Sequence, residues 1–296
     1  MFEPVSHRYR VPFDGSFRIA AAPTARPDDA PGRGDRRRRL DQAVERLTEL
    51  QRRLYAQDTR AVLLVFQAMD AAGKDSTIRA VMSGVNPAGC QVSSFKKPSS
   101  EELDHDFLWR TTRRLPERGR MGIFNRSYYE EVLVVRVHPG ILDFQRLPDA
   151  IDPATFWEER FRSIRAHERH IAANGTAVLK FFLNVSRDEQ RQRFLDRIDE
   201  PEKNWKFAAG DVRERQHWDA YMAAYEQALN ATSRPWAPWY AIPADSKSFM
   251  RMTVAEIIAD SLAAMDLRYP QLPADEQAEL QVARAELVAE DGEEPE

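Results

Sequence analysis

The chain has 296 residues, 43% hydrophobic and 30% charged, with a formal net charge of −4 at pH 7. That is long and apolar enough to bury a core, which excludes a disordered or fibrous chain, and too acidic for a general nucleic-acid binder, though a local basic groove stays open. No run reaches the roughly 18 apolar residues of a membrane span; the start Met1-Phe2-Glu3-Pro4 is no secretory signal, and a lone cysteine, Cys90, fits a reducing cytoplasm.

Residues 1–39 read as an N-terminal arm. Its second half is rich in Ala, Pro, Asp and Arg and is expected to be flexible, with Arg36–Arg39 as the solvated start of the next helix. Leu40, Val44, Leu47, Leu50 and Leu54 form one apolar stripe, which predicts a helix over 40–57. Ala61–Phe66 has no polar interruption, as expected of a central parallel strand covered on both faces. A helix over 74–83 follows, then a strand over 90–95 in which Cys90 packs rather than reacts. Helix 101–115, strand 120–125, helices 127–136 and 155–173, and strand 177–185 come next. Helices 187–198 and 211–230, strand 239–243 and helix 252–265 complete the pattern. Strands alternating with helices imply right-handed crossovers and a parallel sheet. The expectation is one three-layer α/β domain over 40–270. After it, residues 271–296 carry nine acids against one arginine and no aromatic, a solvated helix or a disordered tail. His167 and His170 have no third partner and read as surface residues, not a metal site.

The chemistry concentrates after the first strand, in Gln67-Ala-Met-Asp70-Ala71-Ala72-Gly73-Lys74-Asp75-Ser76. A loop between a buried strand and a helix offers backbone N–H groups and a positive helix end to phosphate oxygens, and Lys74 can reach the transferring group. The match to a phosphate loop is imperfect: Ala68 holds the first glycine position, and Asp75 stands where Ser or Thr ordinarily ligates magnesium. Asp70 would be repelled by a bare phosphate, so it makes better sense holding a metal or a substrate hydroxyl. A second cluster, Asn125, Arg126 and Glu130, ends another strand, at the sheet edge where doubly wound folds bind ligands. Arg126 there can neutralise a transferring phosphoryl group; the plainer alternative is a pair with Glu130 one turn on. Lys96 and Lys97 follow the second strand, again at the carboxyl edge. A basic helix–turn–helix over 187–215, with Arg193, Arg197 and Lys206, suits a lid.

Four motifs, Asp70-Ala-Ala-Gly-Lys74, Met82-Ser-Gly-Val-Asn-Pro87, Phe124-Asn-Arg-Ser-Tyr-Tyr-Glu-Glu-Val-Leu133 and Pro201-Glu-Lys-Asn-Trp-Lys206, together resemble the polyphosphate kinase 2 family, over about residues 35 to 267. The resemblance implies a P-loop kinase fold similar to thymidylate kinase with a helical lid, and phosphoryl transfer between inorganic polyphosphate and nucleotides. It puts the family's loop aspartate and lysine on Asp70 and Lys74, its second-motif arginine on Arg126, and its basic lid residues on Arg193, Arg197 and Lys206. Magnesium is the implied cofactor, with manganese as substitute and Asp70 as ligand. Many members carry Asp where this chain has Asn125; an amide binds magnesium less strongly than a carboxylate, and Glu130 or Glu131 is placed to compensate. The second motif looks like the subgroup termed class III, which accepts nucleoside mono- and diphosphates. The expected partners are polyphosphate, adenine and guanine nucleotides and other copies of the chain, without nucleic acid or membrane. An ATP-dependent nucleoside monophosphate kinase, or a silent nucleotide-binding module, is the alternative on the same scaffold.

Overall fold

Seven consecutive residues, Ala61–Gln67, are buried along their whole length and form strand β1 at the centre of the molecule. The computed structural model describes residues 3–148, 152–206 and 209–290, the side chains of Pro153, Lys203, Lys206 and Ala209 apart. Helix α1 (Arg33–Gln57) leads into β1, and α2 (Lys74–Val81) follows it. The other strands are β2 (Cys90–Ser94), β3 (Met121–Asn125), β4 (Thr176–Asn184) and β5 (Trp239–Pro243). All five are parallel, in the order β2-β3-β1-β4-β5. A parallel sheet buries both faces, and so β1 and β4 are almost continuously apolar. The expected three-layer α/β fold is what forms.

One face of the sheet is covered by α1, α2 and α10 (Lys247–Ala263). The other is covered by α6 (Pro153–Ala173) and α9 (Trp218–Thr232). Between β4 and α9 the chain runs out through α7 (Arg187–Asp199), a 3₁₀ turn at Pro201–Lys206 and α8 (Ala209–Glu214). The final helix, α11 (Ala274–Glu290), is exposed throughout, the solvated helix of the two outcomes expected for the acidic tail.

Several expectations are corrected. The arm's second half is tied down rather than flexible: Asp245 N–H donates to Thr24 O at 3.0 Å, and Asn184 Nδ2 to Ala22 O and Pro23 O at 3.2 Å each. In its first half Val11 N–H donates to Trp239 O at 2.9 Å and Ala241 N–H to Tyr9 O at 2.8 Å, so the arm covers the open edge of β5. An uncovered edge would leave a row of unpaired backbone groups. Helix α1 begins at Arg33, inside the arm; Arg37 and Arg38 are exposed as expected, whereas Arg36 is buried with its Nε on Ser248 Oγ, and Arg39, exposed, grips Glu256 with two bonds. The helix expected at 101–115 is two single turns, α3 (Ser100–Leu103) and α4 (Trp109–Thr112), interrupted where Asp106 accepts the Leu108 N–H. The helix expected at 127–136 splits into a 3₁₀ turn at Tyr128–Val132 and the short α5 (Val134–Val137).

Candidate active site

The loop from Ala68 to Gly73 turns back on itself through two residues with positive φ, Ala71 at 61° and Gly73 at 107°. The second lies outside what a side chain tolerates readily; a Cβ on Gly73 would also stand 3.2 Å from Met250 Cε. The turn aims the first-turn N–H groups of α2, which have no acceptor within the helix, outward at the carboxyl edge of the sheet. Ser76 Oγ is turned inward and donates to Gly73 O at 3.0 Å, so its hydroxyl is engaged within the turn.

Lys74 folds back over its own loop, with Nζ 2.7 Å from Ala68 O and 3.3 Å from Met69 O. Burial, and then the neighbouring Arg126, push its pKa down to about 8 against the pull of Asp70, Glu130 and Asp75. Held this way, its ammonium stays at the loop.

Strand β3 lies beside β1 and delivers the second cluster to the same place. Arg126 Nη2 donates to Asp70 Oδ1 at 2.7 Å, and Nη1 to Glu130 Oε2 at 3.1 Å. Arg126 therefore makes the pair with Glu130 that the sequence offered as the plainer reading, and it also reaches the loop. Although burial opposes its charge, Glu130 and Asp70 hold it firmly protonated. Asn125 Nδ2 donates to Asp75 Oδ1 at 2.5 Å, which joins the two strand-end segments. Lys74, Asp70, Asp75, Asn125, Arg126 and Glu130 thus form one site. A cleft beside it is lined by Asp70, Arg126, Glu130, Glu214, Tyr221 and Tyr225.

Other expected residues take different places. Glu131 points away from the site, buried against Arg160 at 2.9 Å and accepting from Gln145, so it does not compensate for Asn125. Arg193 does not line a channel. It is 4% exposed, and its guanidinium donates to Ala72 O and Ala244 O at 2.6 Å each, to Ala71 O and Asp245 O at 3.2 Å each, and to Glu189. It braces the phosphate loop from behind. Arg197 stacks on Phe194 and faces Asp211 at 3.8 Å. Lys96 and Lys97 are exposed beyond β2, at the carboxyl edge but outside the cluster. The Lys206 side chain lies outside the described residues. Cys90 is half-buried, and burial raises its pKa, as a packing role requires.

Sequence reading missed Gln190 and Asp211. Gln190 is buried; its Nε2 donates to Asp70 O at 2.8 Å, and its Oε1 accepts from Arg215 at 2.6 Å. The signal was its three-residue spacing from Arg193, which puts both on one face of α7. Asp211 has its pKa raised by burial and then by Asp70, which puts it within the field of the site; nothing in its sequence context marks it.

Among the described residues no three His, Cys, Asp or Glu side chains converge as a self-sufficient metal cage. The donors present are hard carboxylate oxygens, Asp70 foremost. That fits magnesium, which takes one or two carboxylates and completes its shell with substrate phosphates and water.

Comparison with known proteins gives concordant findings. The profile of the family described as Polyphosphate kinase 2 matches residues 32–270. An ADP-polyphosphate phosphotransferase of Rhodopseudomonas palustris is 58% identical over 246 residues, covering 83% of this chain and 85% of that one. An AMP/ADP-polyphosphate phosphotransferase of Meiothermus ruber is 44% identical over 268 residues, covering 89% and 95%. The crystal structure of Polyphosphate Kinase 2 from Arthrobacter aurescens TC1 superposes with a TM-score of 0.84 at 35% identity, covering 93% of this chain and 95% of that one.

Proposed function

The chain belongs to the polyphosphate kinase 2 family, and from that premise we propose that it is a phosphotransferase moving a phosphoryl group between inorganic polyphosphate and ADP or AMP. The observation that carries the reading is the Arg126–Asp70 contact at 2.7 Å, which holds the Arg126 guanidinium against the phosphate loop, beside Lys74. In the synthetic direction an oxygen of the nucleotide's terminal phosphate attacks the terminal phosphorus of the polymer. The P–O bond to the next phosphate breaks, and the shortened chain leaves with the electron pair. The protein's part in such a transfer is positioning and charge. The loop N–H groups and Lys74 hold the phosphoryl oxygens, and Arg126 meets the charge that spreads over them. Asp70 and Glu130 orient Arg126.

Magnesium, or manganese in its place, would be held by Asp70 and would neutralise phosphate charge when bound. Lys96, Lys97, Arg197 and Lys206 are the remaining candidates for contact with the polymer. The names of the relatives from R. palustris and M. ruber support ADP and AMP as acceptors; guanine nucleotides belong in the same assay. Residence in the cytoplasm is supported by the single free cysteine, and among the described residues no helix is long and apolar enough to cross a membrane. Self-association is supported by Leu280, Val282 and Leu287, which α11 leaves exposed; sedimentation would measure it.

The test is incubation of purified protein with magnesium and ADP, AMP or GDP, with and without long-chain polyphosphate, and separately with ATP as donor. Nucleotide phosphorylation that needs the polymer is the expected result. Phosphorylation of AMP by ATP alone, indifferent to polyphosphate, would overturn the reading in favour of a monophosphate kinase.

A further inference from the structure

One charge in the sheet has no place in the site just described. Lys180 interrupts the apolar run of β4, a central strand, and is fully buried; so is Glu168 of α6. Lys180 Nζ donates to Glu168 Oε2 at 2.7 Å, to Tyr129 Oη at 2.8 Å and to Thr232 O at 2.9 Å. Glu168 Oε1 in turn accepts both tyrosine hydroxyls, Tyr128 at 2.9 Å and Tyr129 at 2.8 Å. Burying a lysine and a glutamate carries a large desolvation cost, and an apolar pair in their place would commonly be no less stable. Stability alone therefore does not account for them.

What they hold does. Tyr128 and Tyr129 open the 3₁₀ turn that follows Arg126. Ser127, between them and Arg126, takes the Tyr129 N–H and the Gln67 Nε2–H on its hydroxyl, both at 3.2 Å. Arg126 itself sits at φ 63°, in the left-handed region, with its N–H on Phe66 O. A bulky non-glycine residue keeps such a conformation only where its surroundings over-determine it. The buried network fixes the turn two and three residues beyond that strained position.

We propose that Glu168 and Lys180 are positioning residues for phosphoryl transfer: through the hydroxyls of Tyr128 and Tyr129 they lock the turn that holds Arg126 in its strained, site-facing conformation. The inference rests on the role given to Arg126 above. Neither residue approaches the loop, so their effect on the reaction runs through Arg126.

The experiment is a coupling cycle. Tyr129→Phe removes one hydroxyl and keeps the ring; it is made alone and in an Arg126→Lys background, with melting temperature and steady-state kinetics measured for all four proteins. The expected result is a folded Tyr129→Phe enzyme with kcat lowered about tenfold, as a small misplacement of a catalytic group produces, KM for both substrates near the parent value, and little further loss in the Arg126→Lys background. A purely structural role would give the same fractional loss in both backgrounds, and that result, or an unchanged kcat, overturns the proposal. If Tyr129→Phe does not fold, the paired Glu168→Gln/Lys180→Met variant removes both charges together and is held to the same criterion. An Arg126→Lys enzyme as fast as the parent overturns the catalytic reading, and this inference with it.

Discussion

Replacing Arg193 with Met separates a brace from a substrate contact. The substitution keeps an unbranched stem and removes a guanidinium that is 4% exposed and has two bonds of 2.6 Å to the carbonyls of Ala72 and Ala244. A hydrogen bond from a charged donor contributes about 1.5–3 kcal/mol. The two short bonds together therefore represent about 3–5 kcal/mol once partial relaxation is allowed for, close to the loss on breaking a buried charge interaction. For a domain of this size each kcal/mol moves Tm by about 2–4 °C, so the variant should melt about 10 °C lower. Because Arg193 also holds Ala71 O, the loop loses its shape, and kcat should fall about 100-fold with nucleotide and polyphosphate affected alike. Thermal melting, with saturation kinetics for each substrate at two ionic strengths, reads all of this. A variant with the parent's Tm, weakened only toward polyphosphate and with a shallower salt dependence, would refute the argument. It would return Arg193 to the wall of a polymer channel.

Other expectations follow from the same geometry. Lys74→Ala should leave the fold intact and lower turnover about 10²–10³-fold, the usual loss on removing a transition-state charge contact; near-parent turnover in a folded variant contradicts the phosphate-loop assignment. Since the Lys74 pKa is pushed down to about 8, the protonated form it needs to meet phosphate is complete below that pH and lost above it. The kcat/KM of the free enzyme should therefore decline as pH rises through about 8, and a flat profile to pH 10 would count against a catalytic Lys74. Asp70→Asn should harm the enzyme more than Asn125→Asp, which sets a second carboxylate beside Asp75 and should tighten magnesium binding; titrations of both variants decide, and the reverse ranking is the failing outcome. Exchanging Lys96 and Lys97 for Ala should raise the KM for polyphosphate most at low salt and reduce its salt slope, with the KM for ADP unchanged; equal effects on both substrates would remove them from the polymer path.

Much of this was legible along the chain. The unbroken apolar run at Ala61–Phe66 announced a central parallel strand, and alternation of strands with helices gave the sheet its sense, because those periodicities report burial directly. The phosphate loop was visible because strand, glycine, lysine and helix are contiguous there, and Arg126 because it ends a strand that must share the same edge. Contacts between distant segments have no such signature. That Arg193 turns inward to the loop carbonyls while Arg197 stays partly exposed depends on which face of α7 meets the segments that follow β1 and β5. That the arm covers β5 depends on strand order, which leaves that edge open. Lys180 and Glu168 stand twelve positions apart on a strand and a helix, and in sequence each looks like a solvated charge. Only the packing of α6 on the sheet brings them together and sets them beneath Tyr128 and Tyr129, with water excluded. The sequence by itself determined the layers, the loop and the sign of the charges there. The tertiary structure decided which of those charges face a substrate and which hold the others in place, because that division depends on burial, and burial is settled only when elements far apart in the chain meet.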